Sequence, residues 1–273
     1  MLCLSRIGAV CAALLIALPA GPAARADTNV DLELVLAVDV SLSMDYEEQR
    51  LQRDGYVAAL RDPQVLSAIR SGLHGKIALT YIEWAGAFSQ ATVLSWTVID
   101  GQESAEEVAQ KLEQAPISRL RMTSISSALS YAGQQLDASP YRGIRRVIDI
   151  SGDGPNNSGG PVKPVRDGLV ENGVIINGLP IMLRPSQSSI FDISYLDRYY
   201  ADCVIGGPGA FMIPIRDKSE FATATRQKLI LEISGYEPPP QLIPAQFTSD
   251  DEATDCTIGE QLWRRYMDGQ YRN

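Results

Sequence analysis

The sequence predicts an α/β protein with a doubly wound, mainly parallel sheet and helices on both faces. Three observations carry that expectation. Apolar runs such as Leu34-Val-Leu-Ala-Val-Asp39 are nearly continuous, as in strands covered on both faces. Helical periodicity separates these runs through most of the chain, the pattern of βαβ crossovers. Oxygen-bearing side chains gather where strands end, which is where open parallel sheets place their ligands.

Residues 1–26 read as a secretory signal peptide. Arg6 precedes an apolar core at 7–18, and Ala24-Arg25-Ala26 forms an A-x-A cleavage pattern before Asp27. The apolar core is shorter than the roughly 20 residues that span a bilayer, and no later stretch reaches that length. The expectation is a periplasmic or secreted chain with no integral membrane segment after cleavage. The formal charge of −9 becomes −11 once Arg6 and Arg25 leave, because the leader holds no Asp or Glu. So acidic a chain is a poor fit to nucleic acid or to an anionic membrane surface.

In chain order, residues 31–40 form the first strand. A helix follows, with acids in its first turn at Asp45-Tyr-Glu-Glu48 and Leu51, Tyr56, Val57 and Leu60 at helical spacing. Asp62-Pro63 breaks it, and a short second helix at 65–69 ends at Ser71-Gly72. Strands at 76–84 and 92–99, joined by the loop 85–90, make an edge hairpin. A helix at 104–112 takes Ser104 as N-cap and Glu107 as the other half of a capping box. The helix at 124–136 carries Ile125, Leu129 and Ala132 on one face, and the strand at 145–151 runs into a turn-rich loop at 152–160.

Beyond that loop come a helix at 164–172 stopped by Gly173, a strand at 174–181 and a short helix at 193–202. Gly206-Gly-Pro-Gly209 reads as a turn before a last strand at 210–215. It lacks the G-K-[ST] of a phosphate loop. A long amphipathic helix at 219–233 precedes Pro238-Pro-Pro240, which ends the domain. The expected organisation is a leader at 1–26, one α/β domain at 27–236 and a mixed tail at 237–273. Cys203 and Cys256 are the two cysteines left after leader removal. In an oxidising compartment they form a disulfide tying the tail to the body, or else stay as two buried thiols.

Asp39, Ser41 and Ser43 follow the first strand, Thr123 opens a helix, and Asp153 follows another strand. Taken singly, each segment also fits a plain structural role. Ser43 or Asp45 can cap one helix, Thr123 or Ser124 the next, and Asp153-Gly154 can be an ordinary turn. Taken together, D-x-S-x-S after an apolar strand, a Thr followed by Ala128-Leu129, and a later strand-end Asp-Gly resemble a von Willebrand factor A-type domain. The resemblance covers roughly 31–233 in element order as well as motif. Glu83-Trp84 and Gly206-Gly-Pro-Gly-Ala-Phe211 bring it nearer to a bacterial exported subfamily of uncharacterised function.

The resemblance implies a Rossmann-like fold and a metal-ion-dependent adhesion site. In that site Ser41, Ser43 and Thr123 bind the ion through hydroxyls, while Asp39 and Asp153 bind directly or through water. Such a donor set suits Mg2+, with Mn2+ or Ca2+ as alternatives, and leaves a position for an acidic residue of a protein or peptide partner. One departure is Arg119-Leu-Arg-Met122, which stands where the family has small residues and brings positive charge near the ion. Glu83 and Trp84 are expected to line the site from the side or to serve the sheet rim.

Catalysis has little support. The single histidine, His74, lies in a loop at the amino end of a strand, away from the cluster, which disfavours Ser-His-Asp or Cys-His chemistry and a histidine-bound zinc. The leading expectation is a non-enzymatic, metal-dependent binding module. A metal-dependent hydrolase using Asp39 and Asp153 with Glu83, or a structural domain with an idle site, stand as alternatives.

Overall fold

Strand β1 (Thr28–Asp39) is the centre of the sheet, and every described residue from Val30 to Asp39 along it is buried. The computed structural model describes residues 28–183, 191–235 and 254–270. The expected leader at 1–26 and the three prolines at 238–240 lie outside them. Five strands pair in the order β3-β2-β1-β4-β5, with β2 (Ile77–Trp84), β3 (Gln90–Ile99), β4 (Tyr141–Gly152) and β5 (Val174–Pro180). β1 pairs parallel with β2 and β4, and β5 parallel with β4, while β3 closes the edge antiparallel to β2. The α/β expectation therefore holds, edge hairpin included.

Alternation along β1 feeds two cores. Leu32, Leu34, Leu36 and Val38 point to one face, Val35 and Ala37 to the other. The first face is covered by α1 (Tyr46–Leu60), α2 (Pro63–Arg70), α3 (Gln102–Gln114) and α7 (Phe221–Ser234), through side chains such as Tyr56, Ile69, Leu112 and Leu229. The second is covered by α4 (Ile125–Asp137), α5 (Val162–Glu171) and the short α6 (Leu196–Tyr199), which runs on as a π-turn to Val204.

Two local expectations are corrected. Helix α3 starts at Gln102 rather than at 104. Ser104 sits in its first turn as the third residue and accepts from the N–H groups of Asp100 and of Gly101, the N-cap, so it reaches back to the helix entrance rather than capping it from outside. The segment 210–215 runs beside β5 but makes only isolated bridges, Gly178 with Met212 and Ile181 with Ile215. Pro180 and Pro214 have no N–H to give, so no continuous ladder forms. Within the tail, expected as mixed, Ile258–Gln270 is a helix, α8. Of the two fates for the cysteines, the disulfide is found, with Cα atoms 5.5 Å apart. No helix among the described residues is long and apolar enough to cross a membrane.

Candidate metal centre

From β1 the chain continues to β2 on one side, and from β4 it continues to β5 on the other. The strand order therefore reverses between β1 and β4, and a crevice opens at their carboxyl ends. Asp39 ends β1, and Asp153 follows Gly152, the last residue of β4. Gly152 is required there. A Cβ at that position would lie 2.9 Å from the Tyr200 hydroxyl and 3.0 Å from Asp39 Oδ2, closer than real contacts allow.

Asp39 is fully buried. Its Oδ1 accepts the Ser41 N–H at 2.7 Å, but its Oδ2 has no hydrogen-bond partner. Burial first, and then the charge of Asp153, push its carboxyl well above the usual range, against the pull of the Ser41 and Asp153 backbone N–H groups. Ser41 Oγ and Ser43 Oγ are 2.6 Å apart, and Ser43 Oγ donates to Asp153 Oδ1 at 2.6 Å. One chain of hydrogen bonds thus ties the β1 end to the β4 end.

Thr123 comes from a third segment, whose backbone is strained. Met122, just before it, has φ 72°, the one positive φ among described non-glycine residues, which costs roughly 1–2 kcal/mol. Leu120 bridges to Ser41 through paired backbone bonds, and the Ser124 N–H donates to the Ala85 carbonyl at 2.7 Å. The Thr123 N–H donates to Asn157 Oδ1 at 2.9 Å, and its carbonyl accepts from the N–H of Asn157 at 2.9 Å. Ser124 caps α4 by accepting from Ser127 N–H. Ser41, Ser43, Thr123 and Asp153 line one cavity of about 460 Å³, together with Arg121 and Met122. All five residues singled out in the sequence lie at this strand-end crevice.

Other expectations divide. Glu83 does not face the crevice: it is buried in an ion pair with Arg53, whose Nη1 also donates to the Leu112 carbonyl at 2.7 Å. Trp84, its neighbour on the opposite face of β2, is fully buried and abuts Gly152. The two arginines also separate. Arg119 donates to the Met44 carbonyl at 3.0 Å and so braces the loop after β1, whereas Arg121 lines the cavity. The His74 N–H donates to Asp31 Oδ1 at 2.8 Å, at the amino end of the strands. Sequence reasoning missed Asn156 and Asn157. Their position after a strand-end Asp-Gly was the available signal, since Asn side chains commonly bond nearby backbone in such loops.

The donor set fits a hard divalent cation. Two carboxylate-bearing and three hydroxyl-bearing residues meet at one crevice, and a fully buried carboxylate oxygen lacks any partner, which costs several kcal/mol unless a cation or water meets it. Among the described residues no group of three or more His, Cys, Asp and Glu is placed to hold a metal, so thiolate or imidazole coordination has no counterpart here.

A sheet of this order, with hydroxyls and carboxylates gathered at its switch point, has the fold of von Willebrand factor A-type domains. Residues 29–237 match the family described as "Protein of unknown function (DUF1194)", and the chain belongs to that family. Proximal thread matrix protein 1 from the mussel byssus, in a structure with a zinc-occupied MIDAS motif, superposes with TM-score 0.56 at 15% identity, covering 76% of this chain and 49% of that one. The von Willebrand factor type A protein from Catenulispora acidiphila gives 0.52 at 14% identity, covering 75% of this chain and 43% of that one. The conserved hypothetical protein BatB from Bacteroides thetaiotaomicron gives 0.51 at 18% identity, covering 75% of this chain and 100% of that one. The chain thus matches about half the length of the mussel protein, and at these identities the likeness is one of fold. No curated protein matches.

Proposed function

We propose that this chain is an exported, non-enzymatic binding module that holds a divalent cation, Mg2+ in the first instance, through Asp39, Ser41, Ser43, Thr123 and Asp153. The ion supplies an electrophilic position for a carboxylate of a protein or peptide partner. The observation that carries this reading is the buried Asp39 carboxylate with one oxygen unpartnered, held against a Ser41–Ser43–Asp153 hydrogen-bond chain. The protein's own part is to hold these groups in place. The Ser41 N–H fixes the Asp39 carboxylate, Asn157 fixes Thr123, and Gly152 lets β4 approach β1. The three hydroxyls are neutral, and where the two carboxylates bind through water the ion's direct ligands leave its charge unquenched, which favours capture of a further anion over activation of water. The Arg53–Glu83 pair removes the third carboxylate that a hydrolytic site would draw on.

The reading includes a leader at 1–26, a domain at 27–236 and a tail at 237–273 in a periplasmic or secreted protein. The mature N-terminus, determined by mass spectrometry of the exported chain, is expected to be Asp27. Binding is tested by calorimetric titration with Mg2+, Mn2+ and Ca2+, followed by capture from periplasmic and secreted extracts with and without chelator. Asp39→Ala is expected to abolish both the ion heat and the captured partner. If melting is unmoved by all three ions and by EDTA, and Asp153→Ala is silent, the site is idle and the reading fails.

A further inference from the structure

The cavity beside the five candidate ligands is also lined by rings, two of them from beyond the family match. Phe191, within the match, and Trp263 and Tyr266, beyond it, line it together with Ser41, Ser43 and Thr123. Trp263 and Tyr266 are three apart on α8 and so share a face. Their ring centroids are 5.6 Å apart, and Phe191 lies 5.7 Å from Trp263 and 5.6 Å from Tyr266. Rings in mutual contact leave no gap for a cation between them, so they act as one continuous apolar wall. All three are partly exposed, and Leu42, 43% exposed, lines the same cavity.

Helix α8 is fixed to the loop that carries Asp153. Asn156 Nδ2 donates to Glu260 Oε1 at 2.7 Å, and Cys203–Cys256 anchors the chain just before the helix. Gly259 is buried against the same loop so closely that a Cβ would stand 2.1 Å from the Asn156 carbonyl oxygen. Arg121 shares the cavity lining with two carboxylates, Asp153 and Asp192, so the cleft admits an anion once a divalent cation offsets them.

We propose that Phe191, Trp263 and Tyr266 form a side-chain subsite, so that the partner is an acidic residue flanked by an aromatic or large aliphatic one. This rests on the ion-docking reading above and adds the identity of the neighbouring residue. The cavity of about 460 Å³ has room for both side chains, and its lining holds both chemistries, the oxygens of Ser41, Ser43, Thr123 and Asp153 and the rings of Phe191, Trp263 and Tyr266.

The test uses the full chain and capped pentapeptides with a central Asp, flanked on either side by Gly, Leu, Phe or Trp. Affinity is read by fluorescence anisotropy with Mg2+ and with EDTA. One or more Leu, Phe or Trp peptides should bind about tenfold or more tightly than the all-Gly counterpart, the scale of burying one such side chain. Trp263→Ala should erase that preference while Mg2+-dependent binding of the all-Gly peptide persists, and Trp263→Phe should keep most of it. Equal affinities for all peptides in Mg2+, or a preference that survives Trp263→Ala together with Tyr266→Ala, would overturn the subsite alone. Absence of any Mg2+-dependent peptide binding would overturn the ion-docking reading and the subsite with it.

Discussion

Lys228→Met tests the buried charge cluster that stands under the candidate site. Lys228 lies on α7 and is fully buried, with Nζ 2.7 Å from Asp149 Oδ1 on β4, paired also with Glu232, and 5.4 Å from the centroid of the Phe211 ring. Tyr56 on α1 donates to Asp149 at 3.3 Å, Asn177 on β5 donates to Glu232 at 3.1 Å, and Arg145 on β4 donates to the Glu232 carbonyl at 2.7 Å. Methionine keeps the volume but leaves two carboxylates with no ammonium between them. Breaking one side of a buried pair costs about 3–5 kcal/mol. At about 2–4 °C per kcal/mol for a domain of this size, the melting temperature should fall by about 6–20 °C at neutral pH.

The loss should also depend on pH. Burial and then the Asp149 charge hold the Glu232 carboxyl up at about 7, against an unfolded value of about 4.3. Between those values the folded chain keeps a proton that the unfolded chain releases. Stability from this group is therefore full below about pH 4 and lost as pH rises through about 7. Without Lys228 the folded pKa rises further, so the variant's deficit should be larger at pH 8 than at pH 5. Adding Glu232→Gln should recover part of it by removing one of the two charges. Denaturant unfolding and thermal melts across that range provide the measurement. A deficit under about 2 °C, or one that does not grow with pH, would refute the argument that Lys228 offsets buried charge.

Mg2+ at a hundred times its dissociation constant should stabilise the wild-type chain by about 2.7 kcal/mol, seen as a higher melting temperature, with no shift in Asp39→Ala. Gly152→Ala drives a methyl into Asp39 Oδ2 and the Tyr200 hydroxyl. It should destabilise the fold by roughly 1–3 kcal/mol and weaken ion binding in calorimetry. Reduction of Cys203–Cys256, or Cys256→Ser, should leave the domain melting cooperatively while α8 becomes open to limited proteolysis. Equal protease resistance with and without the bond would show that Glu260 and Gly259 hold the helix unaided.

Asp39, Ser41 and Ser43 were legible in the sequence because they fall within five residues at one strand end, and an apolar run that stops in oxygens is a local pattern. The fold was legible for a related reason: β1 and β4 are buried on both faces, so their composition reports their position. Glu83 was misplaced although strand alternation argues against pairing it with Trp84, since neighbours on a strand face opposite ways. Its partner Arg53 is 30 residues earlier, and nothing local announces that pair. The tail helix did carry a helical signal in Ile258, Leu262 and Tyr266 at four-residue spacing. Gly259 and Gly269 obscured it by lowering helix propensity, and the structure supplies the reason for the first, which is contact with Asn156.

The loop from Gly154 to Gly160 gives the site its coherence. It begins next to Asp153, and Asn157 holds both the N–H and the carbonyl of Thr123. Asn156 accepts from the Ser126 N–H at 3.1 Å in the first turn of α4, and donates to Gly160 and to Glu260 of α8. One short segment therefore positions a candidate ligand from β4, a second from the α4 entrance and the aromatic wall of the tail. Thr123 follows a residue in a strained left-handed conformation, so it cannot hold its place by local preference alone, and the Asn157 clamp is what fixes it. The same loop braces the candidate ligands and the ring-bearing helix, so replacing Asn156 or Asn157 by alanine is expected to weaken ion binding in calorimetry and to loosen α8 in limited proteolysis together.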